Sequence, residues 1–336
     1  MKQKEPKKLF QVSPSPQLHG GESIPRIMWA VMLSLLPALV ASVYFFGWKA
    51  LHIEVVSVTT AILTEALIQK LRKKPVTVSD GSAAVAGLLL AFNLPVGVPL
   101  WLAAVGAAFG IAVGKQAFGG LGYNIFNPAL VGRVFVMHSW LPKMTCWTPP
   151  RTELYSRVDA LTYATPLGAA KEAVAGLVPS PNGVFTAMDM FWGNIGGCIG
   201  ETSVLALLIG GIFLLYRGYI RWETPVAFIG IVALLTWFLP AKEGAIALSP
   251  LYHVLGGGLM LGAIFMATDM VTTPVTGMGM FIFGLGCGLI TVIIRLYGGF
   301  PEGVCYAILI MNTFTPLIDK FFKPRLFGNK LAPSGR

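Results

Sequence analysis

Gly87-Leu-Leu-Leu-Ala-Phe-Asn-Leu-Pro95 and Gly262-Ala-Ile-Phe-Met-Ala-Thr-Asp-Met-Val-Thr-Thr-Pro274 are two apolar stretches that each run from a glycine, through a polar residue, to a proline. Proline lacks the backbone donor a helix needs and clashes with the preceding turn, so each stretch reads as a membrane span interrupted near its end. The two prolines lie 179 residues apart, and the pairs Gly119-Gly120 and Gly298-Gly299 share that offset. Five apolar spans separate the equivalent positions, and an odd number of spans inverts the second copy relative to the first. The expectation is a pair of inverted five-helix repeats whose short or interrupted spans, the third and the eighth, line a central site.

Outward from these stretches, runs of about 20 apolar residues fall near 27–46, 51–69, 81–94, 99–118, 124–140, 198–216, 224–240, 249–268, 276–296 and 302–319. The fold class expected is an all-α integral membrane protein with about ten transmembrane helices. Composition agrees: 55% of residues are hydrophobic and 12% charged, where soluble domains carry roughly 25% charged residues. A water-soluble enzyme and a disordered chain are both excluded. The 39 glycines form no long Gly/Ser tract and suit close helix approach in lipid. With ten spans both termini share a side. Placing them in the cytoplasm puts 17 of the 25 Lys and Arg inside, Lys115 among them, and seven outside, with Arg133 inside a span. That bias favours N-in, C-in.

The organisation read from this is a cytoplasmic N-terminal segment (1–23), a first membrane repeat (24–140), an extracytoplasmic loop (141–197), a second repeat (198–320) and a basic cytoplasmic tail (321–336). The first 23 residues are polar and do not match a cleavable signal peptide. The net charge of +10 comes from cations beside apolar spans, so no nucleic-acid partner is expected. Cys146, Cys198, Cys287 and Cys305 are widely spaced, with no CxxC pair, and give neither a zinc site nor an iron–sulfur cluster within this chain. No GxGxxG fingerprint marks an NAD site.

The loop contains Asp159-Ala-Leu-Thr162-Tyr163-Ala164-Thr165-Pro166 followed by an Ala-rich run. Local rules make Thr165 a helix N-cap and Pro166 the first helical residue. The same position leaves a hydroxyl at the positive end of a helix, a place suited to phosphate.

The pattern D-x-x-[S/T]-x-A-T on the outer face of a ten-span subunit resembles the site at which flavin transferase attaches FMN through a phosphoester. The rest of the chain is similar to the NqrB/RnfD family, membrane subunits of the sodium-pumping NADH:quinone reductase and of the Rnf ferredoxin:NAD+ oxidoreductase. The passages that carry this are Ser79-Asp-Gly-Ser82, Gly119 to Ala129, Gly196 to Ser203, Ala267-Thr-Asp269 and Asn312 to Asp319. The short N-terminus favours the Rnf branch. The resemblance implies covalent FMN on Thr165, with Asp159, Thr162 and Ala164 completing the motif and Tyr163 standing where glycine is usual. It also implies a urea-transporter-like fold, a noncovalent riboflavin near Asn124 and Asn127, and cation movement linked to Glu65, Asp269 and Asp319. Implied partners are the other flavoprotein, iron–sulfur and membrane subunits of an Rnf complex, together with the transferase.

Position alone reads Asn124 and Asn127 as caps of the fifth span and Glu65, Asp269 and Asp319 as groups near span ends. Glu54, Arg133 and Glu201 are further intramembrane ionisable residues, with Glu201 expected to pair with Arg133 or to accept from Thr202 or Ser203. Together these readings describe an electron relay between flavins in a cytoplasmic (inner) membrane, its chemistry supplied by the flavins. A solute channel or transporter shares the interrupted inverted repeat, and a passive scaffold would leave Thr165 a mere cap.

Overall fold

The computed structural model describes residues 22–150, 165–169, 186–238, 249–298 and 302–323. These are helical, with a single isolated bridge between Pro95 and Cys198 among the described residues. In the first half, α1 spans Ile24–Phe46, α2 Trp48–Leu71, α3 Ser82–Phe92, α4 Leu100–Phe109 and α5 Pro128–Ser139, and α4 continues as a π-helical turn over Gly110–Gln116. In the second half, α6 spans Ala187–Trp192, α7 Val204–Tyr216, α8 Glu223–Phe238, α9 Pro250–Leu255 and α10 Leu259–Leu261, with a π turn over Gly262–Met266. There follow α11 (Gly277–Tyr297) and α12 (Val304–Phe321).

Helices α1, α2, α11 and α12 are long and apolar enough to cross a membrane. The others are shorter or broken. At 1.5 Å per residue, the 11 residues of α3 reach about half of the ~30 Å hydrocarbon core. All of them are buried, the behaviour of a helix apolar on every face. The eighth apolar run is likewise divided: α9 stops at Gly256, the chain turns through Gly257 (φ +65°) and Gly258 (φ +67°), and α10 follows. The two segments read from sequence as interrupted are thus short or broken, as α5 (12 residues) and α7 (13 residues) also are, and the second breaks at Gly256 to Gly258, ahead of the Gly262 to Pro274 stretch.

Glycine makes the close packing. A Cβ on Gly288 of α11 would collide with Ile231 of α8, and one on Gly132 of α5 would collide with the Gly106 carbonyl of α4. Where α3 ends, its open carbonyls are met by the second half: Gly200 N–H donates to Phe92 O and Ile199 N–H to Leu94 O, both at 2.9 Å. The halves also pack through α1 on α7 and α5 on α12.

Candidate functional site

The two ends of the α9–α10 segment carry different groups. At one end, Asp269 follows the π turn and lines a cavity together with Ser82, Lys115, Asn124 and Asn127. Asp269 accepts from the Thr272 hydroxyl at 3.2 Å. Asn127 caps α5, its Oδ1 accepting from Ala129 N–H at 3.1 Å, and its Nδ2 donates to Met266 O at 3.4 Å, which ties α5 to the π turn. Asn124 is buried; its Nδ2 donates to Phe126 O at 3.1 Å, while its Oδ1 has no partner. A second cavity of about 440 Å³, lined by Gln69, Thr77, Asp80 and Gln116, shares Met28, Leu121 and Val271 with the first.

Glu65 departs from its position-based reading as a span-end group reaching the interface. It is 0% exposed and ion-paired to Lys115 at 2.8 Å, with Gln116 Nε2 at 2.9 Å and Gln69 Nε2 at 3.3 Å donating to it. Lys115 also donates to Ser82 Oγ at 2.6 Å. The reading of Lys115 as a cytoplasmic-loop cation is thus corrected: it is 2% exposed in the π turn after α4, because its counter-charge lies on α2. Asp319 stands apart from the cavity. It accepts from Val275 N–H at 3.0 Å, and the Thr315 hydroxyl donates to Thr272 O at 2.9 Å, so α12 clamps the loop that carries Asp269.

Between the two ends lies a second buried charge cluster. Arg133 of α5 donates to Asn93 Oδ1 at the end of α3 and to Glu302 Oε2 before α12, and Cys198 Sγ lies 3.7 Å from its Nη2. The expected Arg133–Glu201 pair is replaced by Arg133–Glu302. Glu201 instead accepts from the Cys198 backbone N–H at 2.9 Å, not from Thr202 or Ser203. Glu54 accepts from Ser42 Oγ at 2.6 Å, between α1 and α2.

At the other end of α9–α10, Thr165 begins a helical turn over 166–169. As a cap should, its Oγ1 accepts from Gly168 N–H at 3.0 Å. Leu167 packs against Gly256 and Gly257, and Ala169 against Met190 and Ile195. Asp159, Thr162, Tyr163 and Ala164 lie outside the described residues. The residues that sequence reasoning missed are Lys115, Asn93, Glu302 and Arg295. The signal that could have exposed the last two is a charge flanking the second Gly-Gly pair, a few residues from apolar runs on both sides.

The sequence pattern of the NQR2, RnfD, RnfE family matches residues 11–328. The chain belongs to that family. It is 46% identical over 326 residues to a subunit of the proton-translocating ferredoxin:NAD(+) oxidoreductase complex of Clostridium ljungdahlii, covering 96% of this chain and 98% of that protein. It is 47% identical over 317 residues to a subunit of the Na(+)-translocating ferredoxin:NAD(+) oxidoreductase complex of Acetobacterium woodii, covering 94% and 95%. A subunit of the ion-translocating oxidoreductase complex of Cronobacter sakazakii is 36% identical, with 96% and 100% covered.

Proposed function

We propose that this chain is the membrane electron-transfer subunit of an ion-translocating ferredoxin:NAD+ oxidoreductase complex, with ten spans in two inverted repeats and both termini in the cytoplasm. The observation that carries this is near-full-length likeness to two proteins named as subunits of such complexes. One is named for protons and the other for sodium at almost equal identity, so overall likeness does not select the ion.

FMN is attached to Thr165 by flavin transferase, on the outer face. The fit rests on a threonine hydroxyl at the start of a helical turn and on a buried guanidinium near that turn, Arg295. Bound FMN would supply one- and two-electron chemistry, and Thr165 would hold it. A noncovalent riboflavin is assigned to the neighbourhood of Asn124 and Asn127 on the single ground that the Asn124 Oδ1 is a buried acceptor without a partner. The coupling cation passes Asp269, which stands on that cavity, with Glu65 and Asp319 acting on it from the flanking helices. The solute-channel reading fits less well, because Glu65 and Arg133 are locked in ion pairs rather than open to a passage.

The test is mass spectrometry of the chain purified after co-expression with the transferase. A Thr165-containing peptide should gain the mass of the FMN moiety and fluoresce in a denaturing gel, and Thr165→Val should abolish both. An unmodified Thr165 under those conditions sinks the proposal. Impermeant labelling of a cysteine placed at Ser156 in a Cys-depleted chain should succeed in intact cells; labelling only after lysis reverses the topology.

A further inference from the structure

Arg295, in the last turn of α11, is 4% exposed. Its Nη1 donates to His253 O at 2.5 Å, and its Nη2 to Gly256 O at 3.0 Å and Gly257 O at 3.2 Å. These are carbonyls that the end of α9 leaves open. The Nε has no acceptor, and among the described residues no carboxylate makes an ion pair with this guanidinium. Its hydrogen bonds all go to neutral carbonyls, while Glu302 and Glu201 favour its charge without contacting it; a buried charge with no direct counter-ion is costly, and arginine combines a fixed fork of donors with a permanent charge suited to phosphate oxygens.

The turn that begins at Thr165, the residue read above as carrying FMN, approaches from the other side of Gly257. A Cβ on Gly257 would lie 2.5 Å from Leu167 Cδ1 and 2.7 Å from Arg295 Nη2. The leucine two residues beyond Thr165 and the guanidinium therefore meet across one glycine. Gly257 also needs its left-handed φ of +65°, which fixes the turn between them.

We propose that Arg295 is the positioning residue for the phosphodiester that joins FMN to Thr165. This rests on the FMN reading above. A phosphodiester carries one negative charge, and one guanidinium balances it; Nη1 and Nη2 stay on the carbonyls of the helix break while Nε–H is free to donate to a phosphate oxygen. The flavin linkage is thereby fastened to the break between α9 and α10, so the outer cofactor and the interrupted span move as one unit.

The experiment uses the flavinylated chain in its assembled complex. Arg295→Gln keeps a donor for the carbonyls but removes the charge, and Arg295→Lys keeps the charge. The readouts are covalent flavin content, flavin fluorescence anisotropy, and the rate at which added phosphodiesterase releases flavin. Arg295→Gln should retain covalent flavin yet release it about tenfold faster with lower anisotropy, the scale expected for one charge-assisted hydrogen bond. Arg295→Lys should restore protection, which a role in holding carbonyls alone does not require. Wild-type release and anisotropy in a fully flavinylated Arg295→Gln overturn the inference while leaving FMN attachment intact. If Arg295→Gln does not assemble, Arg295→Lys decides: protection near wild type supports the inference, and release as fast as from the isolated Thr165 peptide overturns it. A wild-type chain without covalent flavin removes the FMN reading itself.

Discussion

Two buried ion pairs, Glu65 with Lys115 and Glu302 with Arg133, are built to opposite designs. The first is closed and local to one half. Glu65 receives Lys115, Gln116 and Gln69, and Lys115 reaches on to Ser82, so α2, α3 and the π turn after α4 are bound together with both Glu65 oxygens engaged. The second is open and joins the halves. Arg133 comes from α5 and Glu302 from the start of α12, Asn93 and Cys198 are adjacent, and Glu302 Oε1 is left without a partner. A fully satisfied buried network rigidifies, whereas an unengaged buried atom is costly and weakens it. The first pair acts as a clamp within the first half of the chain, and the second ties the two halves together.

The largest effect should come from breaking the clamp. Lys115→Met leaves the Glu65 carboxylate buried without its cation, a loss on the order of 3–5 kcal/mol when one partner of a buried pair is removed. Thermal unfolding in detergent should show it, and adding Glu65→Leu should recover most of the loss, because an apolar pair of similar volume is often neutral. If the double variant is as unstable as Lys115→Met, the pair is not the closed unit described.

A smaller effect separates the designs. Glu65→Gln leaves the Lys115 charge buried with only neutral acceptors, the Ser82 hydroxyl and the new amide oxygen. Glu302→Gln leaves Arg133 with Asn93 and with Glu201 close by, and the replaced carboxylate already had an unengaged oxygen. Glu302→Gln should cost about 1–3 kcal/mol, the range for a disturbed buried hydrogen bond, and less than Glu65→Gln in the same assay. Equal losses would mean that the cross-half cluster is as closed as the clamp.

Much of the frame could be read from residues close in sequence. The run ending at Pro95 corresponds to the short α3, whereas the eighth span divides at Gly256 to Gly258, upstream of the Gly262 to Pro274 run that suggested a break. Asn127 and Thr165 cap their helical turns by local rules. What escaped depends on partners far away along the chain. Lys115 and Glu65 are 50 residues apart, and Arg133 and Glu302 are 169 apart, so no window of sequence contains both members. Lys115 and Arg295 stand at the ends of apolar runs, where a cation ordinarily reaches for water. Only the packing of α2 on the α4 turn, and of α11 on the α9 break, turns them inward. Sequence reading pairs Arg133 with Glu201, one of several acids in or near the apolar spans; Glu302 follows Gly-Gly-Phe-Pro at the edge of a span and gives no sign of being buried.

The smallest effect on stability should come from Asp269, and that is what makes it informative about coupling. Its carboxylate is held by the Thr272 hydroxyl at 3.2 Å and a longer contact from Val271 N–H at 3.4 Å, and no cation pairs with it among the described residues. Asn keeps an acceptor oxygen for Thr272 and nearly the same shape, so Asp269→Asn should cost under about 1 kcal/mol, at the modest end for an exchanged hydrogen bond. The charge, however, is gone. A carboxylate offers a passing cation one negative charge and up to two oxygen ligands, and Asp269 lines the cavity at the end of the divided span, where unwound backbone can complete a site. Covalent flavin and assembly should therefore stay at wild-type levels while ion uptake per electron into vesicles falls severalfold. Glu65→Gln, by contrast, should lose stability before it loses coupling, because its carboxylate is already occupied by Lys115. If Asp269→Asn leaves uptake per electron unchanged with flavin and assembly normal, Asp269 is structural and the coupling ion passes through partner subunits.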